Sequence, residues 1–407
     1  MKIGIVGGSI AGCSAAILLS KAGHEVTVFE RSSKSLVGRG GGIGTTPALL
    51  EKLKEDGLID RDFPSFSIQN MPFVGKHPDF EPFGRKAWAM PMSFEVFHWN
   101  ALWRSLRAKV PEGNYRSGNA IIHAEMKGDL VALTTHKHES FDFDLVLFAD
   151  GYQSMGRKLL LSDSKLQYRG YVLWRGLLPE VEMSQDCPLE NNILRQSYGQ
   201  HPGHNVMYYI PNQNGSIQEG ERIFNWAAYI AVAPDQLDIV MTDREGNIRN
   251  GTIPPAWVHP DNEQRLKDFL CKQLPEYYAE IISKTKGSYI QVIYTLDAES
   301  YYRDKMCLIG DAGTVIQPFT GSGIFKGYNN VKDLIQTLNE SASLEEALRS
   351  WSDLQTKSAK RILALGEQME DAFIWKQLDF SSANEETVKK WWKSSVTFPD
   401  HFSYERG

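Results

Sequence analysis

Three separated segments of this 407-residue chain carry glycines and carboxylates at spacings suited to holding a nucleotide. The first, "IGIVGGSIAGCSAAILL", places Gly7, Ser9 and Gly12 between an apolar run and a helical pattern, and Glu30 ends the next apolar run. Gly7 suits a tight turn and Gly12 close helix packing. The N–H groups at the helix start, with Ser9, Ile10 and Ala11, suit an anionic pyrophosphate. Glu30 is placed to accept hydrogen bonds from ribose hydroxyls, and its charge argues against a 2′-phosphate. That leaves NAD or FAD. Ser9 stands where glycine is usual, so its φ must be negative and its Cβ must point away from the phosphate.

Two later segments decide between the nucleotides. "LVLFADGYQSMGR" ends a buried strand with Asp150 and Gly151, followed by Ser154 and Arg157. "MCLIGDAGTVIQPFTGSGIFKGYNNV" contains Asp311, whose carboxylate suits a sugar-alcohol chain, and Pro318. Its turn Gly321-Ser322-Gly323-Ile324 opens a helix, and N–H donors there suit the electron-rich pyrimidine edge of a reduced flavin. A nicotinamide needs no such cradle, so the ordered set selects FAD.

The elements that position these residues follow from periodicity. "KIGIVG", "HEVTVFE", "LVLFAD" and "KMCLIGD" read as buried parallel strands, and a β-α-β unit spans the first thirty residues. A helix is predicted from near Pro47 to near Gly57 and another over "NALWRSLRAKVP". The middle third changes to aromatic-rich strands, "GYVLWRGLLPE", "HNVMYYIPN" and "RIFNWAAYIAV", typical of an antiparallel sheet. The expected fold class is α/β: a Rossmann-like FAD-binding domain (1–165 and 290–360) with a mostly parallel sheet, a substrate domain (166–289) with an antiparallel sheet, and a C-terminal helical segment (361–407). The substrate wall is expected from Trp174 and Arg175, Tyr208 and Tyr209, and Asn225 and Trp226. Strand alternation lets one member of each pair face the pocket. Arg175 suits a carboxylate or phenolate, Tyr209 and Trp226 are further candidates, and Pro318 would border the flavin.

Composition limits the alternatives. A net charge of −6 argues against a nucleic-acid or anionic-membrane partner. Four scattered cysteines form no Cys-x-x-Cys pair, and ten histidines show no metal-binding spacing, so no metal is expected. No apolar stretch reaches the length of a membrane span and no secretion signal is read, which predicts a cytoplasmic protein.

In order and spacing, the glycine turn, the Asp-Gly motif and the Gly-Asp motif resemble the single-component flavin-dependent aromatic hydroxylases of the para-hydroxybenzoate-hydroxylase fold. "VGGSIAG", "FHWNALWRSLRAKVPEGNYRSG", "YRGYVLWRGLLPE" and "GDAGTVIQPFTGSGIFKGYNN" resemble the 2,6-dihydroxypyridine 3-monooxygenase branch. The resemblance implies that Ser9, Ala11, Glu30 and Arg31 contact the ADP half of FAD, and that Gly42 and Ile43 lie in the loop along the adenosine side. It places Asp311 on the ribitol, Gly321 to Ile324 on the flavin pyrimidine, and Asp150 and Arg157 near the pyrophosphate and the docking nicotinamide. Trp99 stands where relatives carry arginine, so Arg104 would take over a contact; Thr314 and Lys326 also depart from the pattern. The implied activity is hydroxylation of a small electron-rich aromatic with NAD(P)H as transient co-substrate and O₂, through a flavin C4a-hydroperoxide, in a monomer or homodimer. A larger polycyclic metabolite or antibiotic as substrate, and a non-turnover FAD-binding sensor, stay open at this point.

Overall fold

β1 (Lys2–Val6) runs into α1 (Ile10–Lys21) and returns as β2 (Glu25–Glu30), the unit predicted from the first motif. The two strands pair in parallel, Ile3 beside Val26 and Ile5 beside Val28, and all four side chains are buried because both faces are covered. These coordinates come from a computed structural model in which residues 1–36, 40–183 and 189–396 are described; Cys187 lies outside them.

β3 (Gly42–Thr45), α2 (Pro47–Glu55), β4 (Phe66–Gly75), β5 (Arg85–His98) and α3 (Trp99–Lys109) come next. β6 (Tyr115–Ser117), β7 (Ile121–Lys127), β8 (Leu130–Thr135), β9 (Ser140–Phe143), β10 (Leu145–Phe148) and α4 (Met155–Leu160) follow. The middle of the chain gives β11 (Gln167–Pro179), β12 (Leu194–Tyr198), β13 (His201–Ile210), β14 (Ile223–Ala231), α5 (Leu237–Val240) and β15 (Thr252–Ile253). After α6 (Pro260–Gln273) and α7 (Glu276–Lys284) come β16 (Tyr289–Thr295), β17 (Tyr302–Arg303) and β18 (Met306–Leu308), then α8 (Gly323–Glu340), α9 (Leu344–Glu370) and α10 (Glu385–Ser395).

The architecture is the α/β arrangement expected. A six-stranded sheet, ordered β17-β18-β10-β1-β2-β6, is parallel except at β17. A nine-stranded sheet, ordered β15-β16-β11-β14-β13-β12-β4-β5-β3, is antiparallel except where β12 meets β4. The grouping by sheet differs from the expected division. β3, β4, β5 and β16 fall within 1–165 or 290–360 or at their edge, yet all four belong to the large sheet. Pro72 and Pro91 interrupt β4 and β5, which argues against strands on sequence grounds. Register shifts between Ile68 and Asn70 and between Phe73 and Val74 accommodate the irregularity.

The segment after α9 packs against this sheet. Phe373, Phe380 and Trp392 pack with Phe73 of β4 in one core, with ring centroids 5.3 Å and 5.4 Å from Phe73 for Phe380 and Trp392. Each such buried ring contributes on the order of 1.5–3 kcal/mol. The C-terminal helices therefore cap the large sheet.

Candidate functional site

Two helix N-termini, those of α1 and α8, have neither a side-chain cap nor an acidic residue in the first turn; α5 and α7 are also uncapped but carry Asp238 and Glu276 there. Thr46, His98, Ser154, His259, Ser343 and Asn384 cap α2, α3, α4, α6, α9 and α10. Ser9 and Ser322, the N-cap residues of α1 and α8, make no side-chain cap bond, and neither helix has an acidic residue in its first turn. Those ends keep their N–H groups and positive dipole for an anionic ligand. Ser9 has φ −84°, the negative value that its side chain requires. Gly7 takes φ +107°, and a Cβ on Gly12 would overlap the Gly7 carbonyl oxygen, so both glycines are required by the backbone.

The Gly8 peptide between them is pinned at both ends. Its N–H donates to Glu30 Oε2 at 2.9 Å. Its carbonyl accepts from Trp103 Nε1 at 3.0 Å, Tyr115 Oη at 3.1 Å and Cys13 Sγ at 3.3 Å. Glu30 Oε1 accepts from Ser32 N at 2.8 Å, which fixes the carboxylate with lone pairs to spare. Trp103 and Tyr115 were not singled out from the sequence, because nothing in their spacing links them to a turn a hundred residues away. Arg31 is exposed beside this end. Arg104 is also exposed and donates to the Gln213 carbonyl at 2.8 Å, while the Trp99 ring packs on Gly40.

At the α8 end, Asp311 occupies the turn after β18 and its carboxylate is half exposed. Arg157 is buried and donates to the carbonyls of Asp311 at 3.2 Å, Ala312 at 2.9 Å and Tyr152. Asp150 Oδ2 accepts from Met155 N at 2.7 Å at the start of α4, and burial pushes its carboxyl pKa up. Arg157 thus holds the turn that presents Asp311, while Asp150 Oδ2 holds the start of α4 and its Oδ1 is buried without a partner among the described residues. Gly321 takes φ +68°, and nothing lies within 4 Å of the Cβ that Gly323 lacks. A small cleft of about 50 Å³ opens here, with Asp311, Pro318, Tyr152 and Gln291 in its lining. The donor set, the open Gly323 and the accepting Glu30 and Asp311 fit FAD.

Register assigns the faces of the large sheet. Arg175 pairs with Ala227 and Tyr289, and Tyr208 pairs with Asn225, so Arg175, Tyr208, Asn225 and Tyr289 share one face. Tyr209 and Trp226 fall on the other face, as does Trp174. There Trp226 donates to Thr285 Oγ1 beyond α7, and Tyr209 lies under the Arg222 guanidinium and against Phe224. Of the proposed wall, then, Arg175, Tyr208 and Asn225 come together, and Tyr209 and Trp226 do not join them.

The shared face meets β3 and its entry loop. Asn225 Oδ1 accepts from Gly42 N at 2.7 Å, and Arg175 Nη2 donates to the Gly42 carbonyl. Ile43 follows, partly buried against the core formed around β1, α1 and β2. Arg175 Nε, Asn225 Nδ2 and Tyr289 Oη are buried with no partner among the described residues. Asn225 Oδ1 and Tyr289 Oη lie 3.0 Å, and Arg175 Nε 3.7 Å, from the point a Gly41 Cβ would occupy. Two unmet donors, Arg175 Nε and Tyr289 Oη, thus converge beside Gly41, and the third, Asn225 Nδ2, lies 2.9 Å from the point a Gly42 Cβ would occupy. Leaving them unmet costs about 1–3 kcal/mol each, so a ligand acceptor is the economical partner.

Two buried histidines flank this face. Burial, with Arg104 and Arg175 nearby, lowers the His98 pKa to about 4. Burial and Arg195 lower that of His204, whose Nδ1 faces the Phe373 carbonyl at 3.1 Å. Both imidazoles are neutral in the fold, whereas the unfolded chain protonates near pH 6.5. Between those values the unfolded state binds more protons, so stability is complete above pH 6.5 and falls as pH drops toward 4. His98 alone accounts for roughly 3 kcal/mol of that loss. Urea denaturation at pH 7.5 and pH 5 should show it, and equal midpoints would contradict the assignment. Among the described residues no cluster could hold a metal ion, and no helix is long and apolar enough to cross a membrane.

Residues 5–39 match the family model of an NAD(P)-binding Rossmann-like domain, and residues 168–295 match that of an FAD binding domain-like family. Together with the two open helix ends and the sheet arrangement, these matches mark an FAD-binding protein with the fold of the single-component hydroxylases. The chain is 28% identical over 368 residues to 2,6-dihydroxypyridine 3-monooxygenase of Paenarthrobacter nicotinovorans, covering 89% of each chain. It is 24% identical to 3-amino-4-hydroxybenzoate 2-monooxygenase of Streptomyces cremeus, covering 92% of this chain and 88% of that one. Its fold superposes on 2,6-dihydroxypyridine-3-hydroxylase from Arthrobacter nicotinovorans with a TM-score of 0.83 at 23% identity, covering 93% of each chain.

Proposed function

We propose that the protein hydroxylates a small electron-rich aromatic ring of hydroxypyridine or phenol type, consuming NAD(P)H and O₂. The observation that carries this reading is the placement of three unmet donors along the Gly41–Gly42 backbone, Arg175 Nε and Tyr289 Oη beside Gly41 and Asn225 Nδ2 beside Gly42. Such a set suits an acceptor oxygen on a ring, an anionic one above all. FAD, when bound, supplies the electron transfer and oxygen activation. Ser9, Gly12, Glu30, Asp311 and Gly321 to Ile324 would hold it. Arg175, Asn225 and Tyr289 orient the ring oxygen, and Tyr208 adds an aromatic wall. Phe319, Tyr229 and Phe373 pack against one another behind the Pro318 turn and keep water from that side. Cys13, Cys271 and Cys307 are free thiols, which suits a cytoplasmic enzyme.

The activity test is aromatic-stimulated NAD(P)H oxidation with one atom of ¹⁸O₂ entering the product. If no hydroxypyridine or phenol accelerates the oxidation, the proposal is wrong. Tyr289→Phe tests the binding site more sharply, because it deletes a hydroxyl that no protein group uses. We expect KM for the aromatic to rise about tenfold, the worth of one hydrogen bond to a charged oxygen. FAD content and thermal stability should not fall. An unchanged KM would remove this cluster from the substrate site.

A further inference from the structure

Lys326 is the only lysine among the described residues that is fully buried, 5% exposed in the first turn of α8. A lysine usually turns its ammonium to water, and burying it is costly unless it is paired. Here Nζ points inward, 2.7 Å from Asp311 Oδ1, and also donates to the Thr314 carbonyl. Thr314 is itself fixed by a hydroxyl–hydroxyl bond with Tyr301. The turn Gly310–Thr314 therefore lies between two cations, Lys326 on α8 and Arg157 on α4, and Arg157 engages only its backbone carbonyls. The Asp311 carboxylate is half exposed toward the cleft, with Oδ1 taken by the ammonium and Oδ2 left for a ligand hydroxyl.

We propose that Lys326 is a positioning and charge-setting residue that raises the reduction potential of the bound FAD. Reduction by two electrons adds negative charge to the cofactor. Next to an uncompensated carboxylate that charge is disfavoured. Next to a paired carboxylate, a second cation and an uncapped helix N-terminus it is stabilised. The ammonium thus makes the site bind reduced FAD more tightly, relative to oxidised FAD, than it otherwise would. Its pairing also holds Asp311 in the rotamer that presents Oδ2.

The measurement is a spectroelectrochemical titration of FAD-loaded protein without substrate or NAD(P)H. In Lys326→Met, of similar length and no charge, the preference for reduced over oxidised FAD should fall at least tenfold. For a two-electron couple that is a drop of about 30 mV. Lys326→Arg should keep the wild-type potential. Lys326→Met combined with Asp311→Asn should recover much of the drop, because both charges are then gone; a purely structural role predicts a further loss. An unchanged potential in Lys326→Met, or a double variant as low as the single, would overturn the proposal. The proposal rests on FAD as cofactor, and wild-type protein without flavin absorbance would refute that premise separately. If Lys326→Met does not fold, Lys326→Gln supplies the same charge comparison with a polar side chain.

Discussion

Gly12→Ala is expected to yield protein that folds but purifies without FAD, with affinity lowered at least a hundredfold. The added Cβ would overlap the Gly7 carbonyl oxygen. Gly7, at φ +107°, has no conformational slack to retreat, and the Ala149 side chain lies behind at 3.5 Å. The overlap must therefore be relieved by moving the start of α1 away from β1. Such overpacking costs about 1–3 kcal/mol in a fold of this size, which the domain can survive. The cofactor cannot, because the N–H groups of that first turn lose their common focus. Absorbance at the flavin bands and circular dichroism of the same sample separate the two effects. Gly113→Ala is the control, since nothing lies within 4 Å of its Cβ. A Gly12→Ala protein with full flavin content would show that the close approach is unnecessary.

Glu370→Ala should cost about 3–5 kcal/mol, the usual effect of breaking a buried ion pair. Glu370 is 4% exposed at the end of α9. It accepts from Arg169 Nη2 at 2.7 Å and Nε at 3.0 Å, from Tyr171 Oη at 3.1 Å and from Gln317 Nε2 at 2.9 Å. The carboxylate raises the Arg169 pKa, and its removal leaves a guanidinium under the sheet with only the longer contact to Glu367 at 3.7 Å. It also releases Gln317, the residue before Pro318. The variant should thus lose denaturant stability and also leak NAD(P)H electrons to hydrogen peroxide. Glu370→Gln should fall between, since it keeps an acceptor and loses the charge. A full-stability Glu370→Ala would show that the network contributes little.

These two residues illustrate what a sequence exposes. Gly12 is legible because its partners are local: a strand, a turn and a helix within twenty residues share one spacing rule. Asp311 and the Gly321–Ile324 turn are legible for the same reason, and so is the α/β class. Glu370 is not, because Arg169, Tyr171 and Gln317 are 201, 199 and 53 residues away and no periodicity records them. The wall on the large sheet was half legible. Alternation required one residue of each pair to face the pocket, yet the face was settled only by register with β16, which puts Tyr289 opposite Arg175. β4 and β5 were hidden by Pro72 and Pro91, residues that lower any strand reading unless bulges are foreseen. The contacts of Asp150 Oδ2 and Arg157 were hidden for a comparable reason: their partners are main-chain atoms, which carry no sequence signature.

The free N-termini of α1 and α8 have a consequence for the life of the chain in a cell. α1 begins at residue 10 and α8 at residue 323, so one dinucleotide would join segments separated by some three hundred positions. A ligand that binds only the folded form adds RT ln(1 + [L]/Kd) to stability, about 2.7 kcal/mol at a hundredfold excess over Kd. Vitamin supply therefore acts on the abundance of the protein as well as on its turnover. In flavin-poor cells the empty chain is the population that proteases meet first.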